Sequence, residues 1–312
     1  MNLQKLREYA LDKTNFTSVE NYIDFSRHYL DFAFSPKSLQ AVIVSKNEQN
    51  YRFFQYKADG NYAITRPLNS NLLIDSANSH LMSFDFLRAM DSARDVALTD
   101  KDSRLLICNS IYTLQQSIGA TLDALPAGES NKARKINGDL FERLIMLLIQ
   151  RLGVDCSSGT IQVPVIVDNV EQFCMSYQHD LIIKEGEAVK IIGGVKTSSK
   201  DRIDKIFMDK FLYCKLTDTC VPHVAIFLND VQRKKVNRPN QFGVSATFLP
   251  GHFKGYTIKL NPLDGVYYCD IRPNMQTDPL LSQHIQTIDH FFCTDIWRLL
   301  RQVQGGTKAK IK

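Results

Sequence analysis

Asp180-Leu181-Ile182-Ile183 and Val189-Lys190-Ile191-Ile192-Gly193-Gly194-Val195-Lys196 are two apolar stretches of strand length, separated by the short acidic turn Lys184-Glu185-Gly186-Glu187. Short apolar runs bounded by turn residues predict a hairpin of buried strands. Asp180 in the first run and Lys196 at the end of the second are ionisable residues placed where the chain should meet solvent. The flanking segments extend the pattern. A helix is predicted from Asn137 to Arg151, with Gly153 as its C-terminal stop. Strands follow at Thr160 to Val167, Cys174 to Ile183 and Ala188 to Lys196. Asp201 to Leu216 reads as an amphipathic helix with Ile203, Ile206, Phe207 and Leu212 toward one side. His223 to Leu228 is a nearly continuous apolar run, the kind buried on both faces of a sheet. Further strands are predicted at Tyr256 to Leu260 and Val266 to Ile271, then a final helix from about Asp278 to Gln302 carrying Trp297. This order predicts an α/β core, a central mixed β-sheet flanked by helices, with the charged motif at one sheet edge.

Ahead of that core the first hundred residues mix helix and strand. Val19 to Phe34 places Tyr22, Ile23, Phe25, Tyr29 and Phe32 at helical spacing, Leu39 to Val44 and Tyr51 to Tyr56 read as strands, and Asn61 to Arg66 as a third. Leu105 to Leu125 predicts a long helix stopped by Pro126-Ala127-Gly128. The expected organisation is an N-terminal α+β extension over 1–125, the core over 126–304, and a flexible basic tail over 305–312, all of which can fold as one compact domain.

Composition narrows the classes of function. The apolar fraction of 44% supports a substantial core, and the net charge of +5 is mildly basic, compatible with a polyanion partner. Seven scattered cysteines with no CxxC pair predict reduced thiols and exclude a zinc finger pattern. The N-terminal residues lack the apolar run of a signal peptide, and no stretch of about 18 apolar residues exists to span a bilayer. A soluble cytoplasmic protein is expected. The histidines show no ligand spacing and read as structural; no phosphate-cradling GK[ST] loop is present.

Cutting a phosphodiester needs a metal ion, carboxylates to hold it, and a group that orients water. Asp180 and Lys196 lie on strands that a short turn makes adjacent. Glu142 sits on the preceding helix, three residues after Asp139, and Asp209 falls thirteen residues after Lys196. By spacing alone these four are equally readable as surface charges. The stretch from Asp180 to Asp209 nevertheless resembles the active-site core of PD-(D/E)xK nucleases, and more narrowly the type II restriction endonucleases that recognise CCGG or CCNGG cores. In that family an aspartate is followed by S-x-K, then by a distal carboxylate, with a further glutamate from an upstream helix. Asp180, Gly194-Val195-Lys196, Asp209 and Glu142 match those places, with Gly194 for serine, Asp209 for glutamate and His179 where proline often stands.

The same family reads C·G pairs with an R-(D/E)-R-like cluster a few residues after the lysine, and Lys200-Asp201-Arg202 occupies that position. Lys200 and Arg202 can donate to guanine O6 and N7, and Asp201 can accept from cytosine N4. The alternative reading is a solvated helix start capped by Ser199. The resemblance, which covers about residues 137 to 210, implies a Mg²⁺-dependent endonuclease acting as a homodimer, or as paired dimers, on a palindromic CCGG-type site and leaving 5′ overhangs. It implies Asp180, Asp209 and Glu142 as metal ligands and Lys196 as the catalytic lysine. Ser198, Ser199, Arg233, Lys234 and Lys235 are candidate phosphate contacts, as are Lys132, Arg134 and Lys135. Tyr267-Tyr268 and Phe291-Phe292 read as core. The rival readings are a repair or recombination nuclease of the same superfamily and a DNA-binding protein without catalysis.

Overall fold

The computed structural model describes residues 1–35, 39–58, 61–126, 128–200, 202–217, 219–236 and 241–302. Asp201 and the C-terminal tail, both singled out above, lie outside the described residues. The chain forms two compact units. The first comprises Met1–Ser92, Leu98–Leu147 and Asp230–Thr247, and the second Ala93–Ala97, Leu148–Asn229 and Phe248–Lys312. Among the described residues no helix is long and apolar enough to cross a membrane.

The first unit contains α1 (Leu3–Leu11), α2 (Val19–Ala33), the strands β1 (Leu39–Val44), β2 (Tyr51–Ala58), β3 (Asn61–Ile64) and β4 (Leu68–Asn69), then α3 (Asp85–Asp91) and α4 (Lys101–Leu122). β2 pairs antiparallel with β1, β3 and β4. α2 buries the aromatic face its sequence advertises, Tyr22, Phe25, Tyr29 and Phe32. α4 is buried from Ser110 to Leu122 although it carries Ser110, Thr113, Gln115, Gln116, Ser117 and Thr121. Part of that polarity is met internally: Ser117 Oγ pairs with Ser26 Oγ at 2.8 Å, and Gln115 Nε2 donates to the Asn137 carbonyl at 2.9 Å, whereas Ser110 Oγ and both amide atoms of Gln116 have no partner among the described residues.

α5 (Ser130–Arg151) starts earlier than the sequence suggested, so Lys132, Arg134 and Lys135 lie inside its first turns instead of before it. Asn137, read as a helix start, is a buried helical residue whose Oδ1 accepts from Gln115 Nε2 at 3.0 Å. That tertiary bond removes the free side-chain oxygen that capping requires.

The second unit is built on β5 (Asp155–Val167), β6 (Val170–Glu185), β7 (Ala188–Lys196), α6 (Ile203–Thr217) and β8 (His223–Asn229). β5, β6 and β7 run antiparallel, and β8 lies parallel to β7 with α6 as the crossover. Asp168 and Asn169, at φ 51° and 63°, form the tight turn between β5 and β6, a conformation that Asp and Asn tolerate better than other side chains. All seven residues of β8 are buried, as its unbroken apolar sequence requires.

After β8 the chain returns to the first unit as a hairpin, β9 (Val231–Lys235) and β10 (Phe242–Ala246), whose Val231, Phe242 and Val244 join Tyr51 and Phe53 in one apolar cluster. Arg233, Lys234 and Lys235 lie on β9. The second unit resumes with α7 (Pro250–Lys259), β11 (Gly265–Asp270) and β12 (Ile285–Thr287), giving the sheet order β12-β11-β8-β7-β6-β5. Ile206 and Phe207 of α6 pack with Ala225, Phe227, Val266 and Tyr268 on one face. Tyr267 points the other way, against Phe291 at a ring separation of 5.1 Å. A mixed sheet covered by helices on both faces is the architecture expected.

Three local expectations fail here. Tyr256 to Leu260 is the end of α7, because Pro250 sets the first helical turn and Phe253 and Thr257 bury one face at i,i+4 spacing. The final helix is broken into Leu281–His284, β12, Ile288–His290, a π-turn at Phe291–Asp295 and Ile296–Leu300. Residues 285–287 are taken into a parallel ladder with Val266–Tyr268, and Asp295 is drawn onto Tyr267 Oη at 2.8 Å. Cys214 and Cys220, expected as thiols, form a disulfide with Cα atoms 4.8 Å apart at the C-terminal end of α6. The turn there, in which Thr217 Oγ1 meets Thr219 Oγ1 at 2.9 Å, brings them together.

Candidate functional site

A bulge in β6 shapes the part of the sheet that carries Asp180. Between the pairs Ser157–Ile182 and Gly159–His179, β5 advances two residues while β6 spans three. Two residues of β6 therefore oppose one of β5, which breaks the strict alternation of side chains at His179, Asp180 and Leu181. On the far side of β6, Leu181 pairs with Gly193, so the next rung sets Asp180 against Gly194. Lys196, two residues on, extends back to Asp180, its Nζ 2.6 Å from Oδ2. The main-chain N–H of Val195 donates to the same oxygen at 3.0 Å. The hairpin does hold an aspartate and a lysine side by side, both partly exposed.

Gly194 is explained by its neighbour. A Cβ there would lie 2.6 Å from Cδ1 and 3.0 Å from Cγ1 of Ile206, a buried residue of α6. The first turn of α6 approaches β7 so closely because position 194 has no side chain. Nothing in the sequence near residue 194 names Ile206 as its partner.

Asp209 stands apart from the Asp180–Lys196 pair. Its Oδ2 is 2.5 Å from Lys205 Nζ, one turn earlier on α6, and no hydrogen bond or ion pair among the described residues joins it to Asp180. Of the charges around His179, Asp209 is the main one favouring protonation. Glu142 is half-buried on the part of α5 that belongs to the first unit.

His179 and His223 form a buried pair with ring centroids 6.2 Å apart, and each Nε2 lacks a partner among the described residues. Burial pushes the His179 pKa down to about 4, and that of His223 to about 3. Both rings are neutral at physiological pH. The unfolded chain takes up these protons near pH 6.5, whereas the folded protein resists until far lower pH, so the native state binds fewer protons in between. Stability should therefore fall as pH drops from about 6.5 toward 4. Urea unfolding of His223→Gln against the parent at pH 7.5 and 5 checks this: the parent should lose more of its midpoint than the variant over that interval.

At the start of α6, the Ser199 carbonyl accepts from the N–H groups of Arg202 and Ile203 at 3.0 and 3.1 Å. Ser198 Oγ accepts from the Lys200 N–H at 3.2 Å. Ser199 is buried, and Lys200 and Arg202 are exposed. The turn is thus fixed by its own backbone, leaving the two cationic side chains directed to solvent. Arg233, Lys234 and Lys235 are also exposed. Arg233 Nη1 donates to the Ile64 carbonyl at 2.8 Å, with the guanidinium 5.4 Å from the Phe242 ring centroid.

A divalent cation fits this hairpin through Asp180. Both contacts of that carboxylate fall on Oδ2, leaving Oδ1 with no partner among the described residues. Mg²⁺ is commonly bound by one or two carboxylates, with water and substrate phosphate completing its shell. Among the described residues no group of three or more His, Cys, Asp or Glu side chains forms a ready-made cage.

No protein-family model and no curated protein sequence matches the chain. The crystal structure of the type IIP restriction endonuclease Kpn2I aligns with 96% of this chain and 97% of its own, with a TM-score of 0.66 and 16% sequence identity. The fold is that of a restriction endonuclease. A weaker similarity, TM-score 0.42 at 12% identity, covers 73% of this chain and 98% of PspGI, a restriction endonuclease solved with its substrate DNA.

Proposed function

We propose that the protein is a type II restriction endonuclease that hydrolyses double-stranded DNA at a specific palindromic site with Mg²⁺. The observation that carries this reading is the Asp180–Lys196 pair at 2.6 Å on the adjacent inner strands β6 and β7 of a sheet with a restriction-endonuclease fold. Bound at Asp180 Oδ1, the metal ion would supply charge stabilisation at the scissile phosphate. Asp180 holds its orientation through the Val195 N–H, and Lys196 positions the attacking water while countering charge that builds on the phosphate oxygens. Asp209 or Glu142 is the second carboxylate of the proposed site. Asp209 pairs with Lys205 through Oδ2.

Sequence reading is assigned to Lys200, Asp201 and Arg202 at the head of α6, directed at a CCGG or CCNGG core. Ser198, Ser199, Arg233, Lys234 and Lys235 are assigned to phosphates. Two-fold symmetry of such a target calls for a homodimer with one catalytic pair per half-site. In domain terms, residues 1–125 would serve flanking contacts or dimerisation and 126–304 the nuclease core.

Plasmid DNA incubated with Mg²⁺ should yield discrete fragments with 5′ overhangs at a CCGG-type core, read by sequencing the ends. Cleavage that ignores sequence would point to a repair-type nuclease, and binding without cleavage to a DNA-binding protein. EDTA should stop the reaction. Arg202→Ala should cost about 1–3 kcal/mol of target affinity and relax the reading of one base pair. A uniform loss on every sequence would instead make Arg202 a phosphate contact.

A further inference from the structure

The two basic segments of the first unit, a hundred residues apart in sequence, meet at one cavity. It has a volume of about 540 Å³ and is lined by Arg66, Asp123, Arg134 and Arg233 together with apolar groups such as Leu125 and Pro126. Arg66 forms the most constrained part of the wall. Its Nε and Nη2 clamp the Asp123 carboxylate at 2.9 Å each, and its main-chain N–H reaches the same group at 2.7 Å. Gly119 on α4 makes room for it, since a Cβ there would lie 2.3 Å from Arg66 Nη1. Arg134 is braced on its own helix through Ser130 and Asn131, and Arg233 through the Ile64 carbonyl. Each guanidinium keeps a nitrogen with no acceptor among the described residues: Nη1 of Arg66, Nη1 of Arg134 and Nη2 of Arg233. Three arginines face one carboxylate, an excess of two positive charges around a concave surface.

We infer that this cavity is a phosphodiester-binding groove that grips the DNA backbone beyond the recognition site. Guanidinium groups present planar paired donors that match phosphate oxygens, and three held by separate elements (β3–β4, α5 and β9) can follow a backbone without reading bases. The inference rests on DNA being the substrate, and it adds a contact region to a unit that carries neither Asp180 nor Lys196.

The test uses two duplexes with the same target, one of about 12 base pairs and one of about 30, bound by the full chain in Ca²⁺ across 50–200 mM NaCl. The Arg134→Ala/Arg233→Ala double variant should weaken binding of the long duplex. Its plot of log affinity against log salt should become shallower by about 2, as expected for two lost phosphate contacts. Short-duplex affinity should fall much less than long-duplex affinity, and Arg134→Lys/Arg233→Lys should recover most of the salt slope. An unchanged slope on the long duplex overturns the inference, as does an equal loss on both lengths. Pyrophosphate titrated by calorimetry provides the second arm: binding abolished in the double variant without any length effect assigns the cavity to a free phosphate compound and overturns the DNA groove. Failure of wild-type protein to cut either duplex with Mg²⁺ counts against the nuclease reading alone, because the length-dependent slope is a binding measurement.

Discussion

Lys196→Ala is expected to lower kcat by roughly 10²- to 10³-fold while target binding stays within a few fold, the scale seen when one preorganised charge-stabilising donor is removed. The lysine sits at the end of a strand paired on both sides, with Phe227 as its rung partner on β8 and the Thr197 carbonyl accepting from the Asn229 N–H at 3.4 Å. Its ammonium is therefore delivered to Asp180 by a rigid frame and not by a mobile loop. The alanine variant removes that charge from a partly exposed position, so the fold has little reason to fail. Binding should survive because the proposed base readers lie at the head of α6, outside the pair. Single-turnover cleavage together with a Ca²⁺ binding titration separates the two effects. Full residual cleavage would sink the catalytic assignment, and loss of binding in step with cleavage would make Lys196 a DNA anchor.

Gly194→Ser, which restores the residue found in the nucleases this segment resembles, should destabilise the protein by about 1–3 kcal/mol. The new Cβ meets Ile206 Cδ1 at 2.6 Å, and Ile206 cannot simply swing away, because it is packed with Ala225 and Phe227 in the core. Ile206→Val removes the offending methyl and by itself should cost about 0.5–1.5 kcal/mol. If glycine and isoleucine are matched to each other, the double variant should be more stable than the sum of the single losses by about 1 kcal/mol or more. Urea denaturation of the four proteins gives this coupling directly. Additivity within about 0.5 kcal/mol would show that the serine is accommodated by some other route. On this account the departure from the serine pattern reflects how closely α6 approaches β7, and it leaves Asp180 and Lys196 in place.

Much of the second unit was legible because burial and periodicity are local properties. β8 could be read from an unbroken apolar run, α6 from its apolar stripe, and the β6–β7 hairpin from two runs around Glu185-Gly186-Glu187. Two of the errors have a common cause. Residues 285–287 look helical in isolation, yet three ladder rungs with β11 claim them. Asn137 looks like the start of a helix until Gln115, on another helix, uses its oxygens. In both places a long-range hydrogen bond outweighs a local preference worth less than about 1 kcal/mol per residue.

The candidate site divides along the same line. By itself the sequence determined that an aspartate and a lysine share a hairpin, since sixteen residues with a tight turn leave two adjacent strands little freedom. It also determined that exposed cations follow at the head of the next helix. Only the tertiary structure decided which groups surround them. It set Ile206 against Gly194, buried two neutral histidines behind Asp180, paired Asp209 with Lys205, and brought Arg134 and Arg233 to one cavity. Register within a hairpin is set by a few neighbouring residues. The meeting of a helix with a strand a hundred residues away depends on how whole elements bury their apolar faces, and no local pattern encodes that.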